Sequence, residues 1–171
     1  MVFKLIKDDP DQHLYLYQSF LLNIHWNDMR VQNIAALAQV CDAVVKEHGT
    51  LTSLVFLRGA INVDLSNDMR KAAASLTERF NPFSAGQAMV IEANGFMASL
   101  ARSVITGINL VARAKTNQRV FQDPREASEW LLGLPSQPEP LRGTFPKLWP
   151  HIQEIMRLRS RTEAGQARIA G

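Results

Sequence analysis

The spacing of apolar residues changes several times along the 171-residue chain, and each change marks an element. Phe3–Lys7 and His13–Ser19 are rich in β-branched, aromatic and aliphatic residues. The Asp8-Asp9-Pro10-Asp11 cluster between them reads as a turn, so the chain opens on a β-hairpin. Phe20–Asn27 reads as a longer loop, with His25-Trp26 lining a shallow groove or packing at a core edge. From Asp28 the period becomes helical: Val31, Ile34, Leu37, Ala38, Cys41, Val44 and Val45 share one face, Asn27 or Asp28 stands at the N-cap, and Gly49 lies just past the end. Leu51–Leu57 is a short, almost wholly apolar run, as expected of a strand buried on both faces.

Ser66 stands at the N-cap of the next helix, with Asp68 in its first turn. Met69, Ala73, Leu76 and Phe80 form its apolar stripe, and Asn81-Pro82 ends it. Gln87–Ala93 is a further strand. From Gly95 to about Lys115 runs the most regular helical pattern: Phe96, Leu100, Val104, Ile108 and Val111 share a face, and Arg102, Thr106, Asn109 and Arg113 the opposite one. Gln118–Gln122 is a fifth strand. Asp123 then caps a helix with Pro124 at its first position and Ala127, Trp130, Leu131 and Leu134 as its apolar set. The order ββαβαβαβα implies an α/β domain over 1–134, a five-stranded mixed sheet with a parallel core and four helices.

Composition changes the picture after Leu134. Five of the eight prolines fall at 135, 138, 140, 146 and 150, so 135–147 reads as an extended linker. Residues 148–171 then form a short basic helix from Pro150 and a flexible tail, with Trp149, Ile152, Ile155 and Met156 apolar and Arg157, Arg159 and Arg161 basic. The net charge of +3 belongs to this region: 1–134 holds thirteen basic and thirteen acidic residues, against six and three in 135–171. The charge therefore gives the domain no bias toward nucleic acid, and specific nucleic-acid binding is not expected. The tail is the part suited to touch an acidic surface.

The chemistry-bearing residues are sparse. One cysteine excludes a disulfide framework and a multi-cysteine metal site, and Cys41 falls on its helix's apolar arc. His13, His25, His48 and His151 lack metal-ligand spacing, and His48 suits the C-terminus of its helix. No GxGxxG, Walker lysine or nucleophile-elbow motif occurs. No catalytic site, metal or cofactor is expected. The polar stripe around Arg102 and Arg113 suits a solvated face or an acidic partner. Asn94-Gly95, at a strand's carboxyl end, is the place where ligands favour open α/β sheets, or simply a tight turn. No secretory signal or membrane span is expected, so the location read from the sequence is cytoplasmic.

Two segments carry a resemblance beyond element order. EANGFMASLARSVITGINLVAR (Glu92–Arg113) and NVDLSNDMRKAA (Asn62–Ala74) resemble the corresponding strand-end and loop-to-helix segments of STAS, or SpoIIAA-like, anti-sigma factor antagonists and related uncharacterised bacterial proteins. The resemblance implies a non-catalytic regulatory module that binds another protein. In such antagonists a partner kinase phosphorylates a serine in the loop before the second crossover helix. Ser66 is the nearest match, with Asp64 two residues before it; the family's adjacent Asp-Ser pair and following glycine are absent. Asp64, Ser66, Asp68 and Arg70 are thus the switch-loop candidates, with Arg58 and Arg70 flanking the loop. The alternative is a small-ligand or lipid-binding α/β domain using the helix starts at Ser66 and Asn94, with Asn94, Gly95 and Arg102 as its residues. A homodimer through a helix face or the tail is compatible with either.

Overall fold

The computed structural model of the chain describes residues 3–27, 29–58, 66–92, 103 and 117–169, with 158–169 by backbone alone. Its described strands form one mixed sheet in sequence order: β1 (Lys4–Asp8), β2 (Gln12–Tyr17), β3 (Phe20–His25), β4 (Leu51–Leu57), β5 (Ser84–Ile91) and β6 (Gln118–Phe121). β1, β2 and β3 make an antiparallel meander, and β3 through β6 run parallel. The described helices are α1 (Val31–His48), α2 (Asn67–Phe80), α3 (Pro124–Leu132) and α4 (Phe145–Ile169). The helix expected from Gly95 to Lys115 lies outside the described residues.

The sheet has six strands and not five, because Phe20–His25 is a strand and not a loop. It follows β2 through the two-residue turn Gln18-Ser19, with Tyr17 paired to Phe20 and Gln18 at φ 52°. Hairpins of this length usually announce themselves with glycine or Asn-Gly, and neither occurs here. All six residues are buried, since β3 lies between β2 and β4 with side chains packed on both faces. A strand covered on both faces shows no polar alternation.

One face of the sheet packs on α1 and α2, where Leu14, Leu21 and Leu51 meet Cys41, Val44 and Phe80. The other carries the larger core: Phe20, Leu22, Leu54 and Phe56 against Leu131 of α3 and Leu148 of α4. The expected caps hold with one change. Gly49 closes α1 in the left-handed region at φ 69°, and Asp123 Oδ1 accepts from the Glu126 amide at 2.8 Å. The N-cap of α1, however, is Arg30 and neither Asn27 nor Asp28; its amide donates to Asn33 Oδ1 at 2.8 Å. Asp28 itself lies outside the described residues.

The proline-rich stretch is not an extended linker. It folds as successive turns, with the Gln137 amide donating to Leu134 O, Leu141 to Pro138 O and Thr144 to Leu141 O. Two side chains lash it to the sheet: Gln137 Oε1 accepts from Thr52 Oγ1 at 2.6 Å, and Ser136 Oγ donates to Ala85 O at 2.5 Å. Helix α4 then starts at Phe145, five residues before Pro150, and buries Leu148, Ile152 and Ile155 in the larger core. The nine-residue α3 is too short to cover that sheet face alone. Residues 141–155 are therefore part of the domain's core, and Leu134 marks a shift in composition and charge with no break in packing.

Gly86 marks how closely this cover approaches. A Cβ there would lie 2.5 Å from Leu134 Cδ1 and 3.1 Å from Leu131 Cδ1. Gly86→Ala is expected to lower stability by about 1 kcal/mol through overpacking, read as a shift in the denaturant midpoint at unchanged slope.

Candidate functional site

The carboxyl ends of β3, β4 and β5 lie at one edge of the sheet, the edge at which open parallel sheets commonly bind ligands and partners. Ser66 caps α2, the helix that follows β4 in the described chain. Its Oγ accepts from the Met69 amide at 3.2 Å, and its carbonyl accepts from the Arg70 amide at 3.1 Å. Serine is preferred there because its oxygen satisfies one of the amides a helix start leaves without an intrahelical acceptor. Ser66, Asn67, Asp68 and Arg70 are all solvent-exposed, while Met69 is buried and anchors the turn. Asp64, Asn94, Gly95 and Arg102 lie outside the described residues, as do Thr106, Asn109 and Arg113.

Arg58, the first residue after β4, is committed within the protein. Its Nε donates to Glu92 Oε2 at 2.9 Å, one NH donates to the Met156 carbonyl of α4 at 2.8 Å, and the guanidinium lies 5.2 Å from the Trp26 ring centroid. The pairing with Glu92 follows from the ladder, in which Leu57 opposes Ile91 and the next residue of each strand exit faces the other. Sequence reasoning could have found it by aligning the two apolar runs at their ends. Arg58 flanks the Ser66 loop in sequence, and its charge is met by Glu92.

His25 is buried, and Trp26 packs half-buried against the edge of the larger core. His25 is the last residue of β3, opposite Gln12 of β2 and Leu57 of β4, and 2% exposed. Burial pushes its imidazole down to about 4, the nearby Lys7 charge acting the same way and Asp11 opposing. Among the described residues its Nδ1 has no hydrogen-bond partner. The same sheet face carries a polar chain that the sequence did not advertise: Lys7 Nζ donates to Gln12 Oε1 at 3.0 Å, and Gln12 Nε2 donates to Asn23 Oδ1 at 2.9 Å. Trp26 is half-buried between Arg58 and His13, whose ring meets it edge-on at 5.7 Å.

The remaining candidates take ordinary places. Cys41 is buried, and burial pushes its thiol up to about 12 with Asp42 adding and Arg79 opposing, so it is no thiolate nucleophile. His13 Nε2 lies 3.0 Å from Asp8, and His48 sits in the last turn of α1. No group of three His, Cys, Asp or Glu side chains that could hold a metal occurs among the described residues, and no described helix is long and apolar enough to cross a membrane. The described residues thus show an exposed polar helix start at Ser66 and, past the ends of β3, β4 and β5, an Arg58–Glu92–Trp26 group engaged within the fold.

No family model matches the chain, and no curated protein matches it either. Among solved structures it is similar to an uncharacterised protein of the DUF3478 family with a SpoIIAA-like fold from Shewanella loihica PV-4. The two are 14% identical, the superposition covers 76% of this chain and 92% of the other, and the TM-score is 0.49.

Proposed function

We propose that the chain is a non-catalytic regulatory module that binds another protein through the start of α2, with Ser66 as the switched residue. The reading is carried by one observation: Ser66 is solvent-exposed at the N-cap of α2, with exposed Asp68 and Arg70 in the turn that follows. A surface of small and charged side chains held on a rigid helix turn can dock a complementary protein patch without any catalytic group. A phosphate added by a partner kinase would bring roughly −1.5 to −2 charge and three acceptors to that patch. The helix start itself tolerates the charge, since an anion there is favoured by about 0.3–1 kcal/mol. The cost therefore falls on the partner, which must desolvate it.

Affinity capture from the native cell with full-length wild type, Ser66→Asp and Ser66→Asn checks this. Asparagine preserves the cap without adding charge. The expected result is a partner retained by wild type and Ser66→Asn and lost, at least ten-fold, by Ser66→Asp. Equal retention by all three, or no specific partner for wild type, removes the reading. Ser66→Ala is expected to cost about 1 kcal/mol through the lost cap, visible as a lower thermal midpoint.

A further inference from the structure

Four separate pieces of the fold meet at the Arg58 guanidinium. Trp26 follows β3, Arg58 follows β4, Glu92 follows β5, and Met156 lies within α4. The backbones of the same residues continue the ladders: the Arg58 amide donates to His25 O at 3.2 Å, the last described bond between β3 and β4, and the Glu92 amide donates to Leu57 O at 3.3 Å, the last described between β4 and β5. The side chain then reaches Glu92 on one side and the Met156 carbonyl on the other while lying over Trp26. The acceptor on α4 is a main-chain carbonyl, so the contact reads where the helix sits and not which side chain it bears. Both partners of the ion pair are about one-quarter exposed, 24% and 26%, so the group opens to solvent without unfolding the core.

We infer that Arg58 is a clasp that sets the position of α4 and the last rungs of the two parallel ladders together, so that drawing the guanidinium away releases both. A flat guanidinium can serve two acceptors and an aromatic face at once; an ammonium can pair with Glu92 but cannot span to Met156 O while stacked on Trp26. The coupling is physical and short: Glu92 holds Arg58 in place, and Arg58 holds the helix. The clasp itself stands whether or not Ser66 is a switch.

Hydrogen exchange on the full-length chain, followed at the amides of Arg58, Glu92 and residues 157–160, tests it. In Arg58→Lys both sets are expected to exchange roughly ten-fold faster, the scale of one charge-assisted hydrogen bond, while Leu54 and Val90 in the core keep wild-type rates. Glu92→Gln is expected to speed 157–160 as well, although Glu92 lies at a strand exit and acts on α4 through Arg58. Acceleration confined to one set in Arg58→Lys, or wild-type rates at 157–160 in Glu92→Gln, overturns the inference. Should Arg58→Lys also speed the core amides, the Glu92→Gln result decides alone.

Discussion

A chain ending at Leu134 is expected to lose its cooperative unfolding transition. Leu141, Leu148 and Ile152 are fully buried and Ile155 nearly so, all in the cluster that covers Phe20, Leu22, Leu54 and Phe56. Burying each such side chain is worth roughly 1.5–3 kcal/mol. Together they are comparable to the whole stability of a domain, about 5–15 kcal/mol. Cutting at Leu134 also leaves Thr52 without its Gln137 partner and uncovers the part of the larger core that Leu141, Leu148, Ile152 and Ile155 fill. Far-ultraviolet and near-ultraviolet circular dichroism of the shortened chain should show residual secondary structure, weak tertiary signal and a broad melt. A sharp melt near the full-length midpoint would restore the view of 135–171 as an appendage. Leu148→Ala in the full chain is the graded version, with an expected loss of about 2–5 kcal/mol.

The second large effect is acid destabilisation through His25. Its folded-state pKa is depressed from 6.5 to about 4 by burial. Between those values the unfolded chain binds a proton that the folded one refuses, so stability falls as pH drops from about 6.5 to about 4 and this contribution is constant outside that window. A shift of this size corresponds to roughly 3 kcal/mol. Denaturant midpoints measured at pH 7, 5.5 and 4.5 should fall more steeply for wild type than for His25→Leu, which has no proton to take up. Parallel curves for the two would show that His25 is solvated or paired as a cation in the folded protein. Carboxylates titrate in both variants, so the difference between the curves isolates the imidazole.

Local chemistry explains which parts of this fold were legible. The start of α2 at Ser66, the start of α3 at Asp123-Pro124 and the end of α1 at Gly49 were readable because a cap is decided by a few adjacent residues. The strand β3 was not, because its turn uses Gln18 in a left-handed conformation and its burial on both faces leaves no alternation to see. The prolines misled for a related reason: they remove donors from turns that do not need them, and the leucines and isoleucines among them were the informative residues. Ser66 as an exposed cap could be read from the sequence. The Arg58–Glu92 pair was legible only through the alignment of the ends of β4 and β5, and the bond to Met156 O was not legible at all, because only tertiary packing brings α4 within reach.

The bond between Thr52 and Gln137 joins residues 85 apart in the chain, and it lies beneath the last cover of the larger core. On a ribosome the sheet is made before its cover is complete, and the part of the face bearing Phe20, Leu22 and Phe56 that Leu148, Ile152 and Ile155 pack on waits for α4 to emerge. Bare apolar faces and unpaired strand edges are what nascent chains aggregate through. A translational stall or a protease nick between Leu134 and Phe145 would therefore yield a sticky fragment and not a smaller working domain.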